Sequence, residues 1–152
     1  FLEDWLDRVD QESWARGGRR AIGIRLAKQD PKRAIEWAKA LPPEKDRDAI
    51  LSETLRAYAS YDRVGALEWM RANEPARELD QGAARLAYEF ATRDPFAALE
   101  MIGRIQDPET FEKTHKLLIF HWKDVDRGLH EVLMKKLAEI PNPGQAEVAA
   151  KS

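Results

Sequence analysis

Apolar residues recur three and four positions apart along most of this chain, the spacing that places side chains on one face of an α-helix. One such stretch carries Ala34, Ile35, Ala38 and Leu41, and another carries Ala98, Leu99, Met101, Ile102 and Ile105. No segment shows the two-residue alternation and β-branched enrichment that a strand requires. The pattern predicts an all-α protein.

The helical pattern repeats every 32 residues without insertion. Several residue types keep this period independently: Asp30, Asp62, Asp94 and Asp126; Trp5, Trp37 and Trp69; Glu36, Glu68 and Glu100, with Asp4 ahead of them; and Leu26, Tyr58, Phe90 and Trp122. A fixed period of this length is typical of proteins built from stacked supersecondary units.

Each unit is predicted to be a helical hairpin. The aspartate that opens it is a good N-cap, and Pro31 and Pro95 follow at the position where a missing N–H costs nothing. A short proline-containing break then separates the first helix from the second. The predicted second helices cover 47–60, 77–92 and 109–123, with an earlier one from Gly17 to about Lys28. The last unit begins with a first helix over 126–140.

One hairpin of this size cannot bury enough apolar surface to offset the ordering of its backbone, so neighbouring hairpins must complete the core. We therefore expect one helical-repeat domain over 1–152, an α-α superhelix of about four and a half hairpins in a right-handed solenoid. Its repeats are 1–29 (partial), 30–61, 62–93, 94–125 and 126–152 (partial). The expected core residues are Trp5, Trp37, Trp69, Tyr58, Phe90 and Trp122. Because the chain opens inside a repeat and without Met, we expect it to be a piece of a longer protein.

The junctions between units resemble those of tetratricopeptide-type repeats. The segment from Ala27 to Trp37, AKQDPKRAIEW, places a small residue before Asp-Pro and an aromatic residue after it, and 91–99 has the same form. The period is 32 rather than the usual 34, and the Gly and Tyr of that family's first helix are absent. The chain is similar to divergent tryptophan-bearing helical repeats of bacterial proteins. The resemblance implies a concave groove that binds proteins or peptides, and it carries over no catalytic residue.

The solvent side of the first helices supplies the candidate groove residues, which are Lys32, Glu36, Lys39, Glu68, Arg71, Phe96, Glu100 and Arg104. Stacked units would align the glutamates into a column that recognises a basic or extended peptide. Alternatively, Glu36–Lys39, Glu68–Arg71 and Glu100–Arg104 are ordinary pairs along the surface of single helices, each contributing about 0.2–0.5 kcal/mol.

Charge is concentrated in one segment. Basic residues dominate between positions 16 and 33 and include Arg16, Arg19, Arg20 and Arg25. This segment is either a solvated helix face or a contact for nucleic acid, acidic lipid or an acidic protein. No aromatic residue stands among these bases to stack on nucleotides, and the whole chain has a formal net charge of -2, so we do not expect a nucleic-acid partner.

One second helix is more apolar than the others. Ile119 and Phe120 stand in the turn where earlier repeats carry Arg56 and Ala57, or Tyr88 and Glu89, so this helix is apolar over more of its circumference. Either the C-terminal tail or further repeats cover this face, or it is an interface for self-association or for a partner.

The sequence contains no chemistry that points to an enzyme. It has no cysteine, its three histidines, His115, His121 and His130, lack metal-ligand spacing, and Gly17-Gly18 lacks the flanks of a phosphate loop. We expect no metal, no cofactor, no membrane span and no catalytic activity in this piece. A cysteine-free chain fits the cytoplasm and also the periplasm. The main hypothesis is a protein-binding scaffold, and the alternatives are a nucleic-acid-binding repeat protein or a docking or regulatory part of a larger enzyme.

Overall fold

The computed structural model describes residues 16–42 and 47–145, with side chains described from residue 21 onward. These residues form eight α-helices: α1 (Arg16–Gln29), α2 (Pro31–Lys39), α3 (Arg47–Tyr61), α4 (Arg63–Ala72), α5 (Asp80–Phe90), α6 (Pro95–Ile102), α7 (Pro108–Trp122) and α8 (Arg127–Glu139). A single 3₁₀ turn, Arg77–Leu79, precedes α5. No strand occurs in the described ranges, which confirms the all-α prediction.

The four aspartates of the 32-residue period cap the four first helices in the same way. Each side chain accepts a hydrogen bond from the backbone N–H three residues later, at 3.2 Å for Asp30, 2.9 Å for Asp62, 3.2 Å for Asp94 and 3.3 Å for Asp126. Each Asp carbonyl also accepts the N–H four residues on, at 2.8–3.2 Å. The cap satisfies donors that the helix start leaves unpaired, so the repeated aspartate determines where each first helix begins.

The second helices follow the predicted bounds with one exception. The prediction of one helix over 77–92 is wrong at both ends, since a 3₁₀ turn occupies Arg77–Leu79 and α5 ends at Phe90. The backbone forms the narrower 3₁₀ turn there because the Leu79 N–H donates to the Ala76 carbonyl, three residues earlier, at 2.9 Å. As a result Asp80 becomes the first residue of α5.

The described residues pack as two compact units, which are divided between Ala66 and Leu67. In the first unit α1, α2 and α3 pack on one another. Ile22, Leu26, Ala27 and Ala34 are buried, and Trp37 and Ala57 pack against them. Gly23 is required in α1, because a Cβ there would lie 2.8 Å from Thr54 Oγ1 and 3.2 Å from the Trp37 ring.

In the second unit α5 and α7 lie side by side and run parallel. At their starts, the buried carboxylate of Asp80 accepts the backbone N–H groups of Gln106 at 3.0 Å and Asp107 at 2.8 Å. At their ends, the fully buried Trp122 donates its indole N–H to the Ala91 carbonyl at 2.7 Å. Two directional contacts, one at each end, therefore set the register of consecutive second helices.

The expected core residues differ in burial. Trp69, Tyr58 and Phe90 are each 6% exposed and Trp122 is fully buried, whereas Trp37 is only half-buried. Trp5 lies outside the described residues, as does Asp4. Trp37 and Trp69 share a repeat position but not the same degree of burial, so the periodic tryptophan does not have one uniform environment.

Candidate functional site

Two consecutive first helices of the second unit, α6 and α8, lie against each other. Asp94 caps α6 through the Ala97 N–H, and Asp126 caps α8 through the Leu129 N–H. At the other end of this pair, α8 stops at Glu139 and the chain continues through Ile140 and Pro141. An open cleft lies between α6 and the last turn of α8 with the two residues that follow it.

The cleft has a volume of about 500 Å³. It is lined on one side by Phe96, Leu99, Glu100 and Gly103, and on the other by Lys136, Glu139, Ile140 and Pro141. Leu99 is buried at its base, while Phe96 is 49% exposed. Apolar side chains therefore form much of its surface, and charged side chains stand among them. This combination is common in sites that bind peptides or small molecules.

Glu100 is joined to the preceding repeat by a bidentate ion pair. Arg71 Nε and Nη2 donate to the two Glu100 carboxylate oxygens, each at 2.7 Å. The bond to Arg71 holds the pKa of Glu100 below its usual range, and the same bond raises the pKa of Arg71. The partner of Arg71 is thus Glu100 of the next repeat, rather than Glu68 as the helix spacing predicts.

Arg104 also departs from its predicted pairing with Glu100. Its Nη2 donates instead to the Asn73 carbonyl, 31 positions earlier, and partial burial lowers the pKa of the guanidinium. The negative charge of Glu100 favours the charged guanidinium and therefore offsets part of this lowering of the Arg104 pKa. Helix spacing predicted pairs within single helices, but both arginines connect one repeat to the next. A long arginine side chain can reach a neighbouring helix as well as the next turn of its own helix.

The structure brings together only some of the predicted groove residues. Phe96 and Glu100 line the cleft, and Arg71 adjoins it through Glu100. Glu68 is exposed on α4. Lys32 and Glu36 are exposed on α2 of the first unit, where Lys39 is half-buried.

Besides Leu99 and Gly103, the whole second wall of the cleft was missing from the predicted groove residues: Lys136, Glu139, Ile140 and Pro141. They belong to the end of the last described helix, beyond the repeats that supplied the candidate list. A signal was present for Lys136, because it stands 32 positions after Arg104, a predicted groove residue.

The basic segment is described in part. Arg25 and Lys28 are exposed on α1, and Lys32 and Arg33 are exposed on α2. The side chains of Arg16, Arg19 and Arg20 lie outside the described residues.

The histidines make separate contacts with aromatic rings or the backbone. His121 meets the Tyr88 ring edge-on at 5.5 Å, and His115 lies 5.9 Å from the Phe111 ring. His130 Nδ1 donates to the Trp122 carbonyl at 2.8 Å. Within 16–42 and 47–145, no three His, Asp or Glu residues are grouped so as to hold a metal ion. None of the described helices is both long and apolar enough to cross a membrane.

Comparison with protein-family models, with curated proteins and with solved structures finds no match to this chain.

Proposed function

We propose that this chain is a non-catalytic scaffold of tetratricopeptide-like repeats that binds a protein or peptide in the cleft between α6 and α8. The observation that carries the proposal is the open cleft itself. It lies between two first helices, it is lined by Phe96, Leu99, Ile140 and Pro141, and charged side chains stand at its walls. An apolar surface with a few placed polar groups is what a peptide needs for affinity and orientation.

Each wall of the cleft contributes differently to recognition. The half-exposed Phe96 ring and the adjacent Ile140 offer contact to an apolar or aromatic side chain. Glu100 is fixed by its two bonds to Arg71, and Lys136 and Glu139 face the solvent on the opposite wall. The partner that suits this arrangement is a segment with one apolar anchor flanked by polar or charged residues.

We infer that the hairpins stack into a right-handed solenoid, and contacts within the second unit support the stacking of consecutive repeats. The first helices carry the same cap at intervals of 32 residues. In the second unit the consecutive second helices α5 and α7 run parallel, and the consecutive first helices α6 and α8 are neighbours. Layers of first and second helices arranged in this way produce a surface on which the first helices form a groove.

A selection experiment with a matched control tests the binding proposal. A library of displayed peptides is selected on the immobilised chain, and enriched sequences are measured by fluorescence anisotropy. We expect a shared apolar anchor in the enriched peptides, and at least about tenfold weaker binding to Phe96→Glu. Phe120→Glu changes a similarly exposed phenylalanine on α7 and should bind as the unmodified chain does. Peptides that bind both variants equally well would refute the cleft as the site.

A further inference from the structure

Two helices end at the cleft between α6 and α8. α6 ends at Ile102, and the next residue, Gly103, lines one wall. α8 ends at Glu139, which lines the other wall together with Ile140 and Pro141. The C-terminal end of a helix carries carbonyls without an intrahelical donor and a partial negative charge of roughly half an elementary charge. Two such ends therefore lie at the same opening.

The backbone that follows α6 passes over one carbonyl of the last turn. The Gly103 N–H donates to the Leu99 carbonyl at 3.2 Å. The Arg104 N–H donates to the Met101 carbonyl at 3.1 Å. The Glu100 carbonyl stands between these two acceptors, and neither N–H donates to it. A donor from a bound molecule can therefore bond it.

Gly103 leaves these carbonyls uncovered on the side of the cleft. A Cβ at this position would lie 3.4 Å from the Glu100 carbonyl oxygen and 3.5 Å from the Leu99 carbonyl oxygen. Apart from its chain neighbours, no other described atom lies within 4 Å of that Cβ. The backbone of Gly103 is right-handed, with φ −62° and ψ −16°, so any residue could adopt it. The missing side chain thus opens the cleft to the end of α6.

The end of α8 is similar. The Ile140 N–H donates to the Leu137 carbonyl at 3.2 Å, three residues earlier, and Pro141 has no N–H to donate to the last turn. Glu139 is exposed beside these carbonyls. The last turn of α8 therefore adds acceptors on the second wall.

The formal charges of the side chains at the cleft nearly balance. Glu100 is held by Arg71, and Lys136 and Glu139 carry opposite charges on the same wall. Arg104 donates to a carbonyl of the preceding repeat. What remains is the partial negative charge of the two helix ends, which favours a cation. Lysine and arginine side chains can hydrogen-bond the last carbonyls of a helix and interact favourably with its dipole.

The length of α6 sets the distance between an apolar anchor and such a cation. Phe96 and Gly103 are seven residues apart, which is about 10 Å along a helix. Side chains on one face of an extended peptide recur every two residues, about 7 Å apart. The long stem of a lysine or arginine covers the remaining few ångströms along apolar surface such as Leu99.

We propose that the segment bound in the cleft carries a lysine or arginine two positions from its apolar anchor. The anchor lies on Phe96, and the cationic head binds the carbonyl ends of α6 and α8 beside Gly103. This inference rests on the function proposed for the cleft, and it adds the sign of the charge that the partner carries and its spacing from the anchor.

The probes are the fluorescein-labelled peptides obtained by selection on the immobilised chain. We expect lysine or arginine to be enriched over the unselected library two positions from the anchor. Replacing that residue by glutamine should weaken binding at least about tenfold in anisotropy titrations, because a charge-assisted hydrogen bond is lost.

A matched pair of variants tests the helix ends themselves. Gly103→Lys places an ammonium of the chain's own at the end of α6, and Gly103→Gln adds a side chain of similar length without charge. Gly103→Lys should weaken binding of the basic peptides at least about tenfold more than Gly103→Gln does. The two variants should bind the glutamine-substituted peptides equally. Circular dichroism should show the same helix content in both, since a Cβ at 103 has room.

Four results would overturn the inference. Peptides that depend on Phe96 but show no preference for a basic residue would do so while leaving the cleft as the binding site. Enrichment of aspartate or glutamate at the same position would assign charge recognition to Lys136 instead. Equal binding of the basic peptides to Gly103→Lys and Gly103→Gln would show that the cation does not lie at the helix end. A selection without any Phe96-dependent peptide would refute the cleft and this inference together.

Discussion

A different kind of contact between helices is prominent in each compact unit. In the first unit the absence of a side chain at Gly23 lets Thr54 and the Trp37 ring approach α1. In the second unit directional hydrogen bonds join consecutive repeats, from Trp122 to Ala91 and from the Gln106 and Asp107 N–H groups to Asp80. The same 32-residue period therefore accommodates both close packing and buried polar contacts.

The difference shows what each kind of contact specifies. Apolar packing against a glycine brings two helices close together, but it is non-directional. A buried carboxylate that accepts two backbone N–H groups has one position in which both bonds form, and leaving either donor unpaired costs about 1–3 kcal/mol. The register of α5 against α7 is therefore sharply determined, because such bonds stand at both ends of the two helices.

The largest effect is expected at Trp122. Trp122→Ala should lower the free energy of unfolding by about 3–5 kcal/mol, because it empties a fully buried site and leaves the Ala91 carbonyl without its donor. Trp37→Ala should cost less, about 1–3 kcal/mol, since Trp37 is only half-buried. Urea denaturation followed by circular dichroism measures both. Equal losses would contradict the contrast between the two units.

Asp80 is expected to have the next largest effect. Asp80→Ala removes the acceptor of the Gln106 and Asp107 N–H groups and should cost about 2–4 kcal/mol. Hydrogen exchange at these two amides should speed up as well. Asp124→Ala, an exposed acid in the same unit, serves as the control and should stay within about 0.5 kcal/mol of the unmodified chain. An unchanged exchange rate at 106 and 107 would show that the carboxylate does not hold the loop.

A smaller effect is expected at Gly23. Gly23→Ala should destabilise by about 1–2 kcal/mol, because its Cβ would meet Thr54 Oγ1 at 2.8 Å, although alanine favours a helix by about 1 kcal/mol. The cost should shrink in a Thr54→Ala background, as a double-mutant cycle by urea denaturation would show. Gly103→Ala has room, with nearest contacts of 3.4–3.5 Å, and serves as the control. If Gly23→Ala lowers the free energy of unfolding by the same amount in the Thr54→Ala background, the contact with Thr54 is not the cause of the loss.

The smallest effect is expected from the Arg71–Glu100 pair. Both side chains are partly exposed, so a cycle of Arg71→Ala and Glu100→Ala should give a coupling of about 0.2–1 kcal/mol. Because the folded-state pKa of Glu100 lies below its ordinary value of 4.5, the pair stabilises the fold above that pH. The contribution should disappear as the pH falls through the folded-state pKa. A coupling that grows on acidification would contradict this sign.

Local signals in the sequence predicted the helices well. The 32-residue recurrence of Asp30, Asp62, Asp94 and Asp126 identified four helix starts, because an N-cap acts within three residues of its own position. The 3₁₀ turn before α5 was missed, because the residues 77–79 continue the helical pattern while the Leu79 N–H bonds the Ala76 carbonyl.

The candidate site was predicted less completely. Phe96 and Glu100 were identified as groove residues from their place on the solvent side of the first helix. The opposite wall was missed, because Lys136 and Ile140 matter only once α8 lies beside α6. The predicted pairings of Arg71 and Arg104 were wrong for a related reason. Spacing along one helix identifies partners on that helix only, whereas the observed contacts join residues 29 and 31 positions apart in neighbouring repeats.

The amino-acid order alone was sufficient for the helical class, the repeat length and the starts of the first helices, since each of these depends on interactions within a turn or two of the chain. Tertiary packing determined the remaining properties. These are how deeply each tryptophan is buried, which group each arginine binds, and the presence of a cleft between α6 and α8. Those properties depend on the distance between atoms that lie about 30 residues apart in sequence, and periodicity alone does not specify that distance.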